Sequence, residues 1–267
     1  AEFDAFYCQL AAAGELAGML DTMLLRLANH REKSEDLRRT LRSALVYPTA
    51  VLVIALSVMI FLLTFVVPAF ENIFASFNAE LPTLTLQVIA LSRAWQHMGW
   101  QFLAGMVVLF YVVNMGWKRH HRLQWLMQAM LLRTPVFGRL IRHACLARWT
   151  RTLATLFAAG IPLTEALEAT QNVTGNLHYQ AATLSVKSQL IRGQSLALAL
   201  AQHQTVFSNM LVQMCAIGEE SGMLESMLEK SAAHYENEVA ATVARLTTLV
   251  EPLVMLSLGV LIGGTVI

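Results

Sequence analysis

The chain has 267 residues, 56% of them hydrophobic and 14% charged, with a formal net charge of +1. A soluble domain carries roughly 25% charged residues, so this composition, with a mean hydropathy of +0.52, excludes an ordinary soluble globule and points to a bulk membrane component. A disulfide scaffold is excluded as well: Cys8, Cys145 and Cys215 are odd in number, far apart and in no CxxC or Cys/His metal pattern, and they read as small apolar core residues.

The first ten residues, AEFDAFYCQL, are acidic and lack the basic stretch of a signal peptide. Val46 to Val67, VYPTAVLVIALSVMIFLLTFVV, has no charged residue. That is enough to cross ~30 Å of hydrocarbon at about 1.5 Å per residue. Pro48 and Pro68 fall near its ends, where a lost helix hydrogen bond costs least. Trp100 to Trp117, WQFLAGMVVLFYVVNMGW, carries a tryptophan at each end as an interfacial anchor; Leu91 to Gly99 extend it. Arg148 to Thr170, Leu177 to Ile191 and Ser195 to Ala201 read as helices, with Ile161-Pro162 opening one and Gly175 and Gly193 marking breaks. Leu249 to Ile267, LVEPLVMLSLGVLIGGTVI, is apolar from Leu253 onward and reads as a third span that the sequence leaves inside its hydrophobic run. Its Gly259 and Gly263 form a GxxxG pair, which lets a second helix approach closely.

Basic residues set the expected orientation. Arg26, Arg31, Lys33, Arg38, Arg39 and Arg42 precede the first span, and Lys118, Arg119, Arg122, Arg133, Arg139, Arg142, Arg148 and Arg151 follow the second. Between those spans only Arg93 is basic. Positive residues stay inside, so the N-terminus and residues 118–248 are expected in the cytoplasm. No Asp or Glu occurs from Lys118 to Arg151; this stretch reads as meeting anionic lipid rather than nucleic acid. The expected organisation is 1–44 as the end of a first cytoplasmic helical domain, 45–67 as a transmembrane helix and 68–96 as a periplasmic connection. Residues 97–117 then form the second transmembrane helix, 118–248 a second cytoplasmic helical bundle and 249–267 the third transmembrane helix.

The sequence also matches itself. Residues near 9–52 align without gaps on residues near 213–256 at a constant offset of 204. Identical pairs include Gly14/Gly218, Glu15/Glu219, Gly18/Gly222, Met23/Met227, Leu24/Leu228, His30/His234, Glu32/Glu236 and Pro48/Pro252. About a third of positions agree, far above chance for an ungapped match, and such a repeat organises a fold. Each copy is expected to hold a helix ending near its Gly-Glu pair, a turn (GELAGML, GEESGML), then a longer helix leading to a proline at the start of a span. Ser221 is expected to cap the helix that follows, with Glu225 near its first turn. The first copy lacks the helical preamble of the second, so a further helical region before Ala1 is expected in the natural protein.

These blocks resemble the type II secretion F family, the PilC/GspF-like and HofC-type inner-membrane platform proteins of type IV pilus assembly and type II secretion. The matching blocks are ALVYP at Ala44 to Pro48, VVPAF at Val66 to Phe70 with LPTLT from Leu81, and LATLFAAGIPLTEAL at Leu153 to Leu167. GQSLALAL at Gly193 to Leu200, GEESGML at Gly218 to Leu224 and EPLV at Glu251 to Val254 complete them. The sequence departs from the family pattern at Ser208, where a proline often follows the phenylalanine. The resemblance implies an all-α, multi-pass protein of the bacterial inner membrane, a homo-oligomeric scaffold that is not an enzyme. It would couple a cytoplasmic hexameric ATPase to insertion or extraction of pilins or pseudopilins, alongside other inner-membrane assembly proteins.

No P-loop, nucleophile elbow or HExxH occurs, so no catalytic, cofactor-binding or metal residue is expected. His120 and His121 read as interfacial. Glu219, Glu220, Glu225, Glu229, Glu236 and Glu238 make the second copy acidic; this is a solvated helix face, a surface for a basic partner with Glu219, Glu220, Glu225 and Glu229 as the candidates, or, as the weakest alternative, a metal site of Glu219, Glu220 and Glu225. Glu251 stands at the edge of the third span, either interfacial or functional. The alternative functions are a membrane transporter or channel subunit, which would place polar broken helices at mid-membrane, and an intramembrane hydrolase, which would need paired carboxylates or a Ser/His pair within spans.

Overall fold

In the computed structural model of the chain, the described residues are 10–12, 14–15, 18–69, 86–87, 89–90, 92–99, 101, 104–106, 108, 111, 121–134 and 137–266. Among them the chain is all-helical, with no strand. The elements are α1 (Leu20–Phe61), continued by a π-helical turn at Leu62–Val66, then α2 (His121–Arg133), α3 (Phe137–Ala158), α4 (Leu163–Thr170), α5 (Leu177–Ile191), α6 (Leu196–Ala201), α7 (Asn209–Ser221) and α8 (Leu224–Val266). Contacts divide the chain into two compact units, Ala1–Arg42 with Arg122–Val243 and Ser43–His121 with Ala244–Ile267.

Local chemistry sets the ends of the shorter helices. Pro162 precedes α4, and Glu165 lies in its first turn, where a negative charge meets the positive end of the helix dipole. Asn176 caps α5 by accepting from the His178 N–H at 2.9 Å, and Ser195 caps α6 through the Leu198 N–H at 3.3 Å. Ser208, the departure from the family pattern, caps α7 through the Leu211 N–H and also hydrogen-bonds the Tyr235 hydroxyl.

The turn between α7 and α8 differs from expectation. Gly218, Glu219 and Ser221 are all helical, and α7 ends at Gly222, whose φ of 70° is left-handed. A residue without Cβ takes that conformation freely, so the helix runs on to Gly222 rather than stopping at the Gly-Glu pair. Ser221 is therefore the last residue of α7 and not a cap for α8; its hydroxyl donates back to the Ile217 carbonyl at 2.6 Å. Gly18, 204 residues earlier, has the same left-handed geometry (φ 65°). A Cβ on Gly218 would meet Leu224 Cα at 2.8 Å and Met227 Cβ at 3.3 Å. At Gly14 the equivalent neighbours are Leu20 Cα at 3.2 Å and Met23 Cβ at 3.0 Å. In both places a helix crosses the start of the next too closely for a side chain.

Pro48 and Pro252 lie inside α1 and α8. Each removes one N–H from the ladder at a cost of about 3 kcal/mol, and the remaining bonds of helices 42 and 43 residues long hold the conformation through it.

The first unit packs around aromatic residues. Trp149, Phe207 and Tyr179 are essentially fully buried. The Trp149 and Phe207 rings lie 4.9 Å apart, and Tyr179 meets Phe207 edge-on at 6.0 Å. The Trp149 indole N–H donates to the Thr183 hydroxyl at 3.0 Å, so its one polar atom is satisfied inside the core. Leu153, Leu156, Leu167, Leu196, Leu211 and Leu228 are fully buried as well. Cys145 and Cys215 are buried, as small core residues should be; Cys8 lies outside the described residues.

In the second unit, Leu63, Val67 and Ile89 form a buried cluster with Met59, Leu62 and Trp95 against it. The Ser92 hydroxyl donates to the Leu63 carbonyl within the π-helical turn at 2.5 Å, giving a widened backbone an internal partner. Among the described residues one helical segment, Thr49–Ala69, is long and apolar enough to cross a membrane, and only 18% of its most apolar window is buried. Val53, Ile54, Leu56, Phe61 and Phe65 are all more than half exposed, as lipid-facing side chains would be. The expected span 97–117 and connection 68–96 lie largely outside the described residues. The expected third span is helical to Val266, with most of its side chains outside them.

Candidate functional site: a charged cleft between three helices

Within the first unit, α1, α3 and α8 enclose a cleft of about 260 Å³. Arg26, Asn29, His30 and Lys33 come from α1, Arg151 and Thr155 from α3, and Glu225 and Glu229 from α8. Helical spacing explains the selection. Arg26, His30 and Lys33 stand at steps of four and three, as do Arg151 and Thr155, and Glu225 and Glu229, so each set shares one helix face.

Arg151 is the centre of the charge arrangement. Its Nε and Nη2 each donate to one carboxylate oxygen of Glu236 at 2.8 Å, a bidentate fork. Its Nη1 stands 3.8 Å from Glu229. Only 15% of the Arg151 side chain and 20% of Glu236 are exposed, so this pair is far less screened than a surface bridge. Arg26 faces Glu225 at 3.8 Å across the mouth. His30 Nδ1 lies 3.4 Å from the Thr155 hydroxyl, which itself donates to the Arg151 carbonyl at 2.8 Å. Burial, and then the Arg151 charge, push the His30 pKa down to about 4, so the ring is neutral at physiological pH.

The sequence-predicted acidic residues separate into different roles. Glu225 and Glu229 come together in the cleft opposite Arg26 and Arg151. Glu219 turns inward: its two carboxylate oxygens accept from the Leu196 N–H at 2.5 Å and the Ala197 N–H at 2.9 Å, satisfying the first turn of α6. Glu220 is exposed. Glu238 lies 3.8 Å from His143. Gly259 has open space around the position of a Cβ, and the surroundings of Gly263 and Glu251 lie outside the described residues. Glu236, His30 and Thr155 were missed as members of one site. The available signal was the self-match, which pairs Glu236 with Glu32 and His30 with His234 although neither position is apolar.

The arrangement can hold helices together and can respond to charge. Burial raises the Cys145 thiol to about 11 and the Cys215 thiol to about 12, the reverse of a reactive cysteine. Among the described residues no three His, Cys, Asp or Glu side chains are grouped to hold a metal ion.

Comparison with known proteins places this architecture. The sequence model of the type II secretion system (T2SS) protein F family matches residues 1–68 and 149–267. The chain is 40% identical over 265 residues to the type IV pilus assembly protein TapC of Aeromonas hydrophila, covering 99% of this chain and 64% of that protein. It is 40% identical over 265 residues to the type IV pilus assembly protein PilC of Pseudomonas aeruginosa, covering 99% of this chain and 71% of that one. Against the type II secretion system protein F of Vibrio cholerae the identity is 33% over 244 residues, 90% of this chain and 59% of the relative. The chain thus spans 64% and 71% of the length of the two pilus-assembly relatives.

Proposed function

The chain belongs to the type II secretion system (T2SS) protein F family, and from that premise we propose that it is an inner-membrane platform for assembling type IV pili. It serves as a scaffold rather than an enzyme, coupling a cytoplasmic assembly ATPase to the insertion or extraction of pilin subunits. The observation that carries this reading is the 40% identity to pilus assembly proteins over 99% of the chain, against 33% to a type II secretion F protein. The reading includes three membrane spans near 45–67, 97–117 and 249–267, an N-terminus inside, two copies of one helical unit, and a homo-oligomer.

Mechanical coupling has a physical basis in α1 and α8. Each is unbroken over more than 40 residues and carries cleft residues at its start, Arg26 to Lys33 on α1, Glu225 and Glu229 on α8. A motor that displaced those residues would displace the helices that bear them. Glu225 and Glu229 keep 54% and 68% of their side chains exposed, so they can trade their pairing with Arg26 and Arg151 for a basic partner.

The test has two stages. Deleting the gene in its source bacterium should abolish surface pili, and the wild-type gene should restore them. Retained pili with lost export of a secreted protein would move the assignment to type II secretion. Photo-crosslinkers at Glu225 and Glu229 in native membranes should then capture the assembly ATPase, and charge reversal at both should abolish that capture. Capture of further copies alone would make the cleft an oligomer contact. Solute flux through liposomes holding the purified protein would favour the transporter reading instead.

A further inference from the structure

We propose that α2 is an in-plane membrane anchor, seated on the cytoplasmic surface of an anionic bilayer through Leu123, Leu126 and Met130. This deepens, and rests on, the membrane reading above. The argument begins with the faces of the helix. One face is held by the first unit. The Trp125 ring stacks on His178 at 3.9 Å, and the His178 Nε2–H donates to the Trp125 carbonyl at 3.2 Å. The Gln128 side-chain Oε1 accepts from the Leu177 N–H at 2.8 Å. The C-terminal end is fixed as well: the Arg142 guanidinium donates to the Leu132 carbonyl at 2.6 Å. Gly138 presses so close that a Cβ there would stand 2.4 Å from the same oxygen. With four attachments to the bundle, α2 is not a loose tether, and the direction of its other face is built in.

That other face is apolar and bare. Leu123, Leu126 and Met130 follow a spacing of three and four, one stripe of a helix, and they are 39%, 57% and 68% exposed. Phe137, just after the turn, is 49% exposed. Large apolar side chains grouped in this way mark an interaction surface. Charge identifies the occupant. Arg133 and Arg139 are exposed at the same end. The sequence from Lys118 to Arg151 holds eight Lys and Arg and no Asp or Glu. A short helix with a basic margin and an apolar stripe fits the boundary between anionic headgroups and acyl chains. A second copy is a poorer occupant than an anionic surface, because it would bring a margin of the same positive sign to this face.

The experiment uses the full chain carrying Cys8→Ser, reconstituted into vesicles of seven parts phosphatidylcholine to three parts phosphatidylglycerol. Single cysteines at Leu126, Met130, Ile191 and Ile54 carry an environment-sensitive fluorophore, and quenching by lipids spin-labelled high on the acyl chain is read. Ile191 is 67% exposed on α5, and Ile54 is 64% exposed in the candidate span. We expect quenching at Leu126 and Met130 about threefold above that at Ile191. It should drop about twofold in phosphatidylcholine alone or with Arg133→Glu and Arg139→Glu together. Where a label at Leu126 lowers the unfolding midpoint, Leu123→Cys replaces it with the same expectation. Quenching at Ile54 with none at Leu126 and Met130 overturns the anchor while leaving the membrane reading intact; absence at Ile54 too overturns both. Disulfide-linked pairs through Leu126→Cys would overturn it in favour of contact between copies.

Discussion

Leu24 and Leu228 stand 204 residues apart on helix segments that share about a third of their residues, yet Leu24 is 48% exposed and Leu228 fully buried. The two segments bury different faces. On α8 the buried stripe is Leu228, Ala232, Tyr235 and Val239. On α1 the equivalent positions are Leu24, Ala28, Arg31 and Glu35, all exposed, and the buried residues are Met23 and Leu37 instead. The shared residues at the start of the stripe do not decide which way a helix faces. The residues at its end differ: Tyr235 and Val239 are buried, whereas Arg31 and Glu35 are exposed and bond each other at 3.1 Å.

The largest test of this contrast is truncation. Leu228→Ala should cost about 2–5 kcal/mol, as deletion of a fully buried leucine side chain does, while Leu24→Ala should cost less than about 0.5 kcal/mol. The thermal midpoint of the full chain in detergent should fall clearly for the first and barely for the second. Equal losses would mean that the Leu24 face is also packed. The paired glycines come next. Gly218→Ala forces a methyl to 2.8 Å from Leu224 Cα, a backbone atom, whereas Gly14→Ala meets the flexible Met23 Cγ at 2.9 Å. Overpacking should cost about 1–3 kcal/mol at Gly218 and less at Gly14, again read from midpoints.

Much of the helical layout was legible because its signals are local. Gly175, Gly193 and Ser195 punctuate the chain by backbone chemistry: α5 falls between the two glycines and α6 begins just after Ser195. The all-helical class was what the family resemblance implied, and every element among the described residues is helical. Errors arose where two local signals competed. Ser221 looks like a cap until Gly222, which alone tolerates the left-handed turn, claims the boundary. The cleft was the least legible part. Arg151 and Glu236 are 85 residues apart, and their sequence neighbourhoods read as a basic stretch and an acidic helix. Only packing α8 against α3 turns those two averages into one fork.

That fork gives the third contrast. Glu236→Gln leaves Arg151 mostly buried beside an amide and should cost about 1–2 kcal/mol, while Glu32→Gln, at the exposed equivalent on α1, should be neutral within about 0.5 kcal/mol. A cost at Glu32 matching that at Glu236 would remove the distinction between a buried fork and a solvated face.

The smallest expected effect is a pH dependence centred on His30. Its folded pKa is lowered from 6.5 to about 4 by burial and by Arg151. The unfolded chain therefore binds the proton more readily, and stability is present above the unfolded value and lost as pH falls from about 6.5 toward about 4. Burial lowers His143 in the same direction, so part of the slope survives any change at His30. Water reaching the partly exposed cleft screens the imidazolium, which limits the His30 share to on the order of 1 kcal/mol. His30→Gln keeps a polar group near Thr155 but cannot titrate, so the slope of midpoint against pH should flatten between about pH 4 and 6.5. An unchanged slope would mean that α1 and α3 part at the cleft before His30 gains its proton, and would make the Arg151 fork with α8, rather than the histidine, the contact that sets acid stability.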